Sequence, residues 1–299
     1  MTIAACLATG VSAASCSSAP SPPGEVATAA TVAPASAQSL AAVKAAAAGT
    51  QSQTAQVAMR LAATTVFGVA SQPITGTGSF DFRAGRGSET LNEPSGVESV
   101  IFEPASLFVR QPPTAAGAGT SGLPRGKSWI SAGLTESPSL GTNFPQFVVQ
   151  AEGTNPVFLL DLVAWGAVSA APIGRVAGAP ASARGFVVDV DLARAQTAAT
   201  GPSGPALARA IGYEIGSLAT GASTSAKSFV VRVWVDGSKV VELAGSPPGS
   251  GVGVTTMSLS SFGTSVHVDP PPSSKVADIV SLSPGGEREN RGGGDSDGA

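Results

Sequence analysis

Apolar and polar residues alternate along much of this chain, and this pattern predicts a protein built mainly from β-strands. Val57, Met59 and Leu61 alternate with smaller or polar residues, as expected of a strand that has one face in a core. The same period predicts further short strands near residues 80–83, 88–92, 97–103, 107–111, 123–130, 169–177, 184–191, 229–235, 239–243, 252–262 and 266–269. Asp236-Gly237 favours a tight hairpin, because these residues tolerate positive φ. Prolines at 270–272 should end the sheet.

One segment breaks this pattern and predicts a helix at residues 155–165. Asn155 is a favoured N-cap and Pro156 suits the first helical position. Beyond them only Asp161 is ionisable, so the helix is apolar nearly all round and needs cover on more than one face. A curved sheet closing over it would provide that cover, and any gap between the two layers would be an apolar cavity. A shorter helix is predicted at residues 39–48, with Ser39 as its cap and Gly49 as its stop.

Composition sets the class of protein and the limits of its folded part. The chain has 299 residues, a net charge of −3 and 12% charged residues, so it has no basic field that would collect nucleic acid. We expect one folded domain at residues 39–283. Residues 16–38 are rich in Ser, Ala, Pro and Thr and predict a flexible tether, whereas residues 284–299 are Gly-rich and charged and predict a disordered tail.

The first residues suggest export and membrane anchoring. Ala13-Ala14-Ser15-Cys16 resembles a bacterial lipobox, in which the cysteine is acylated after a signal peptide, here residues 1–15, is removed. Cys6 would leave with the signal, and the mature chain would have neither a free thiol nor a disulfide. No later run approaches the roughly 18 apolar residues of a spanning helix. We therefore expect a protein anchored through Cys16 at the extracytoplasmic face of the cell membrane; the alternative is an unmodified Cys16 in a disordered leader.

Several landmarks in order resemble one family of bacterial lipoproteins over about residues 39–282. They are the lipobox cysteine, the tether, Val-Ala-Met-Arg at 57–60, Gly-Thr-Gly-Ser-Phe-Asp-Phe at 76–82, the segment from Leu123 to Trp129, the Asn155-Pro156 helix, Arg-Gly-Phe at 184–186, the hairpin at 233–237 and a closing strand at 266–272. The sequence resembles the actinobacterial LppX/LprG lipoproteins, whose fold is similar to that of the LolA and LolB lipoprotein carriers. The resemblance implies an α+β fold, in which helices cross the concave face of a strongly curved antiparallel sheet, a half-barrel.

The same resemblance implies an apolar cavity that binds, and can transfer, acylated lipids or lipoglycans. The residues expected to form it share the strand alternation or lie on the central helix, and they are Met59, Leu61, Phe80, Phe82, Val100, Phe102, Leu159, Leu162, Val163, Phe186, Val188, Val231, Val233 and Met257. Alternation by itself reports burial and not emptiness, so these residues taken alone favour a filled core. The alternative function is then a structural or interaction lipoprotein without a ligand. Lipid and membrane are the expected partners, and the sequence does not identify protein partners.

Enzymatic and metal chemistry find little support in the sequence. His267 is the single histidine, and a Ser/His/Asp triad would have to use it. No Gly-x-Ser-x-Gly elbow is present to place a nucleophilic serine. We read His267 as a strand residue near the sheet edge; a hydrolase would need a serine beside it. The glycines at 249–253 lead into a strand and not a helix, so they predict a loop rather than a phosphate cradle. We expect no catalytic residue, no metal site and no cofactor.

Overall fold

The computed structural model describes residues 33–62, 65–66, 69–70, 73–93, 96–110, 123–133, 155–174, 181–202, 204–208, 211, 228–245 and 254–279. All of them belong to one compact unit, Thr31–Ala299. The predicted signal peptide, Cys6, Cys16, the loop at 249–253 and the tail at 284–299 lie outside the described residues, as does the tether up to residue 32.

The described elements are mostly strands. The helices are α1 (Ala37–Gln51), α2 (Pro156–Gly166) and α3 (Leu192–Ala198), with further helical residues at 204–208 and a 3-10 turn at Ser273–Lys275. The strands are β1 (Thr54–Leu61), β2 (Thr65–Val66), β3 (Val69–Ala70), β4 (Ile74–Asp81), β5 (Arg86–Glu93), β6 (Gly96–Glu103), β7 (Ser106–Arg110), β8 (Trp129–Gly133), β9 (Ala167–Ile173), β10 (Arg184–Asp191), β11 (Ser228–Asp236), β12 (Lys239–Gly245), β13 (Thr255–Ser260) and β14 (Val276–Asp278).

Twelve of these strands form a single open sheet in the order β14-β8-β7-β6-β5-β4-β1-β13-β12-β11-β10-β9, while β2 and β3 pair separately. All pairs in the large sheet are antiparallel except β8 with β14, which is parallel. The β11–β12 hairpin turns at Gly237, whose φ is 59°, as the Asp-Gly pair predicted. The α+β class with a curved, mostly antiparallel sheet and a few helices is confirmed.

The apolar helix α2 begins as its sequence predicts and is buried on nearly every side. The Asn155 side chain accepts from the backbone N–H of Val157, and Pro156 occupies the first turn. The helix contacts α1, α3, β9 and β10, while α1 packs along β9 to β12. We call the sheet face that these helices cover the inner face. Each fully buried Leu, Val or Phe here contributes roughly 1.5 to 3 kcal/mol, so α2 is a large part of the core.

Helix α1 is longer than predicted, because two of its residues have other roles. Its N-cap is Ser36, whose Oγ accepts from the N–H of Ser39, so Ser39 lies inside the helix. Gly49 does not end the helix. A Cβ at this position would lie 2.3 Å from the carbonyl oxygen of Ser238, so glycine allows α1 to approach the β11–β12 hairpin closely.

The predicted closing strand is wrong in position. Residues 266–272 form no strand, and the last strand of the sheet is β14, which follows the 3-10 turn. His267 is therefore not a strand residue. Its side chain is 87% exposed and its Nε2 lies 3.0 Å from Oδ1 of Asp269. The alternation around His267 therefore does not mark a paired strand, because no described neighbouring strand supplies a ladder there.

A buried hydroxyl joins α1 to the hairpin. Thr50 Oγ1 donates to the carbonyl of Ala46 at 2.9 Å and accepts from the N–H of Val240 at 2.8 Å. Thr50 has no exposed surface. Both bonds therefore form away from water, and one of them holds the end of the helix against the start of β12.

We predict that Thr50→Val lowers the free energy of unfolding by about 1 to 3 kcal/mol, because it leaves the buried N–H of Val240 without its acceptor. Urea denaturation would measure the change. Thr197→Val is the matched control, since Thr197 makes the same type of bond to its own helix, to Ala193, at an exposed position. That control should change stability by less than about 0.5 kcal/mol. Equal losses in the two variants would contradict a role for Thr50 in joining helix to hairpin.

Candidate functional site

All fourteen residues predicted to form the cavity lie in one buried cluster, and none is more than 5% exposed. Sheet register brings many of them side by side on the inner face: Met59 pairs with Met257, and Val233 pairs with Phe186. The Phe80 and Phe102 rings lie 5.6 Å apart between centroids. The structure thus gathers these residues into one apolar layer, and their role in holding a ligand stays a prediction.

A pocket of about 580 Å³ lies where the first turns of α1 meet the ends of β9 and β10. It is lined by Gln38, Ser39 and Ala42 from α1, by Pro172, Ile173 and Gly174, and by residues 181–186. Phe186 is the one residue of the predicted cavity that lines it. The other residues carry no periodic signal in the sequence, because they lie at an element start and at a turn, where alternation is lost.

The chain reaches the folded unit beside this pocket. The N–H of Ala33 donates to the carbonyl of Pro172, and the N–H of Ser36 donates to the carbonyl of Ala170, both at 3.1 Å. These bonds cover part of β9, which is the last strand at one edge of the sheet. The segment that precedes α1 is thus fixed along a sheet edge, and Pro172 belongs both to this contact and to the pocket wall.

Glu89 is the chemically unusual residue of the inner face. It is 3% exposed, and neither carboxylate oxygen has a hydrogen-bond partner within the described part of the chain. The side chain lies against Gly76 of β4: a Cβ added there would be 2.6 Å from Glu89 Oε1 and 3.3 Å from the Met59 methyl group. A carboxyl group is thus held between strands among apolar side chains, at a position where glycine makes the space.

Burial sets the ionisation of this group. Loss of solvation raises the pKa of Glu89 from its ordinary value of 4.5 to about 8, and the nearby charge of Glu98 acts in the same direction. At neutral pH the carboxyl is therefore mainly protonated and can donate a hydrogen bond as well as accept one. Strongly shifted pKa values cluster at binding and catalytic sites, which makes Glu89 a candidate functional residue.

Our cavity prediction missed Glu89, although the sequence carries a signal for it. Alternate residues share one face of a strand, and Leu91 of β5 is buried on the inner face. Glu89 lies two residues before Leu91 and therefore faces the same way. We overlooked it because a charged residue is normally assigned to the solvent face of a strand.

Two other buried polar atoms have no partner in the described part of the chain. Thr255 Oγ1 lies on β13 and shares the inner face with Met257, whereas Trp234 Nε1 lies near Gly185 on the other face. The second buried carboxyl, that of Asp161 on α2, differs from Glu89, because it accepts from Gln51 Nε2 at 2.6 Å. Glu89 is thus the buried carboxyl that no described hydrogen bond compensates.

The described residues contain neither a metal-ligand cluster nor a membrane-spanning helix. Within the described ranges, no three His, Cys, Asp or Glu side chains come together as ligands for a metal ion. None of the helices in that part of the chain has the length and apolarity needed to cross a bilayer.

Two of the solved structures that match this chain are an LprF protein and a LolA superfamily protein. LprF from Mycobacterium bovis matches with a TM-score of 0.37 and 10% identity, over 79% of this chain and 98% of that one. A LolA superfamily protein from Nitrosomonas europaea matches with a TM-score of 0.28 and 10% identity, over 78% of this chain and 94% of that one. No protein-family model and no curated protein matches the sequence. Both structures are of the kinds that the sequence resemblance names; at these scores they add no weight to a function, which has to come from the residues of this chain.

We predict that Glu89→Gln stabilises the protein increasingly as the pH rises from about 4.5 to 8. Over this window the folded protein keeps the Glu89 proton and the unfolded chain releases it, so the wild type loses stability with rising pH and the neutral amide does not. The gain should be near zero at about pH 4 and roughly 3 kcal/mol at pH 7. Urea denaturation across this range measures it.

The control is Glu103→Gln, which makes the same chemical change at a half-buried position on β6. It should show no comparable gain. A stability difference between Glu89→Gln and wild type that is the same at every pH would contradict a protonated Glu89 in the folded protein.

Proposed function

We propose that this protein is an extracytoplasmic lipoprotein, anchored through an acylated Cys16, that binds an acylated lipid between the sheet and its helices. The observation that carries the proposal is the position of the pocket at the edge of the apolar layer, since Phe186 belongs to both. A volume of about 580 Å³ is within the range of roughly 300 to 1,000 Å³ that is usual for small-molecule sites. Each methylene buried there contributes about 0.8 kcal/mol, so an acyl chain needs no ionic contact.

The attachment of the chain supports a ligand that comes from a membrane. Residues 17–32 would separate an acylated Cys16 from the first described residue, Ala33, and an extended tether of that length reaches up to roughly 50 to 60 Å. Ala33 is bonded to Pro172, which lines the pocket. A membrane anchor would thus hold the pocket end of the domain within reach of the bilayer, and release of the lipid to an acceptor would follow the same route.

A second candidate function is a structural or interaction lipoprotein with a filled core. It is favoured by the close packing of the layer, in which Phe80 contacts both Phe82 and Phe102. In that case the apolar layer would serve stability alone, and the pocket would hold solvent. The two functions differ in whether the purified protein carries lipid.

We predict that the Cys16→Ala protein, purified without detergent from a related bacterial host, carries a bound lipid that native mass spectrometry detects and organic extraction removes. Ala42→Trp in the same background should lower the lipid-bound fraction severalfold, because the indole would fill the pocket from its half-buried position on α1. Ala45→Trp is the matched control, since Ala45 is exposed on the same helix. An apo mass that also takes up no added fluorescent acyl probe would establish the filled-core alternative instead.

We also predict that Cys16→Ala moves the protein from the membrane fraction into the medium, because the acyl anchor supplies most of the membrane affinity. Fractionation and immunoblotting would measure the distribution. Cys6→Ala is the control and should leave the protein at the membrane, since Cys6 lies upstream of the predicted cleavage site. Retention of the Cys16→Ala protein would contradict acylation at this cysteine.

A further inference from the structure

A single row of inner-face residues connects the Glu89 carboxyl to the pocket. The carboxyl lies against Gly76, and the register then runs from Gly76 to Met59, from Met59 to Met257, and onward across the neighbouring strands. The remaining positions of the row, in order, are Leu243, Val233 and Phe186. All side chains between Glu89 and the pocket are thus apolar and buried.

The length and composition of this row suit an acyl chain. It crosses from β4 to β10, five strand spacings, which is about 24 Å measured along the sheet. Two methionines lie near its middle, and their unbranched side chains can rearrange around a guest more readily than branched ones. The row ends at Phe186 in the pocket wall.

Two glycines beside Glu89 make the space that its own side chain and its neighbours occupy. Gly76 and Gly87 carry no side chain on the inner face, and the side chains beside them lie over these positions. A Cβ on Gly87 would be 2.1 Å from the Phe80 ring, and one on Gly76 would be 2.6 Å from both Glu89 and Leu91. The Glu89 carboxyl therefore lies close to the backbone of β4, among apolar side chains.

From this arrangement we propose that Glu89 binds the uncharged polar group of an acyl lipid, an ester carbonyl or hydroxyl, while the acyl chain follows the row of Met59, Met257 and Val233 towards the pocket. The inference rests on the proposed lipid-binding function and specifies the ligand class of that site. An uncharged group fits better than a cationic one, because burial penalises both members of an ion pair. A protonated carboxyl donates to a carbonyl oxygen and thereby satisfies both partners.

The charged surroundings define how binding should depend on pH. On the strands beside Glu89, the inner face presents Gly76 and Gly78 from β4, Met59 from β1, and Val100 and Glu98 from β6. Glu98 is the titratable group among them, and its negative charge favours a protonated Glu89. Binding of an ester should therefore weaken as the pH rises above about 8 and the donor proton is lost.

The test compares three pyrene-labelled probes on the full-length chain: a diacylglycerol, an alkane of equal chain length and an alkylamine. Glu89→Leu should weaken diacylglycerol binding about tenfold at pH 6, the cost of one lost hydrogen bond, and leave alkane binding unchanged. Glu89→Gln keeps a neutral donor and should bind diacylglycerol equally at pH 6 and pH 9, whereas the wild type weakens at pH 9. Thr255→Val removes the other unpartnered polar group of the inner face, off the row, and should change nothing.

Each other outcome overturns the proposal in a distinct way. Equal losses for diacylglycerol and alkane in Glu89→Leu would show that Glu89 acts only on the structure of the layer. Unchanged binding of all probes would leave a lipid site without a role for Glu89, so the proposed function would survive and this inference would fail. Tightest binding of the alkylamine at pH 9 would assign a cation site instead. Failure of every probe to bind the wild type would overturn both proposals.

Discussion

The structure depends on covering one face of a wide, open sheet. Twelve strands present an inner face of Val, Leu, Met and Phe side chains, and an uncovered face of this size would be exposed to association with other surfaces. The described helices α1 and α2 lie over the β9 to β12 half, and α2 is buried against α1, α3 and the sheet together. The position of α1 is in turn fixed by the bond between Thr50 and Val240 and by the close approach at Gly49.

Two buried carboxyl groups, one on α2 and one on the sheet, differ in their hydrogen bonding. Asp161 accepts from Gln51, so its burial joins α2 to the end of α1. Glu89 has no such partner in the described residues, so its burial lowers stability and no described hydrogen bond offsets this cost. We propose that Glu89 serves a ligand, which would follow the apolar row from Gly76 to Phe186 across the sheet.

Much of the fold could be predicted because strand alternation and helix capping are local signals. The strand at 184–191, the Asp236-Gly237 hairpin and the helix that begins after Asn155 are all formed as predicted. The errors lie where a residue's role depends on a contact that is distant in sequence. Gly49 allows close contact with Ser238 and does not end α1, and residues 266–272 lack a neighbouring strand. Local sequence cannot report such partners, because they are brought together only by the folded chain.

The sequence by itself determined which residues are buried together, since all fourteen of the predicted apolar residues lie in one cluster. It also determined the class of fold and marked a candidate anchor at Cys16. Only the tertiary structure decided where the pocket lies, beside the attachment of the chain at Pro172, and that Glu89 has no hydrogen-bond partner among the described residues. The physical reason is that periodicity specifies a face of a strand, whereas empty space and unpartnered polar groups depend on what the neighbouring strands and helices leave unfilled.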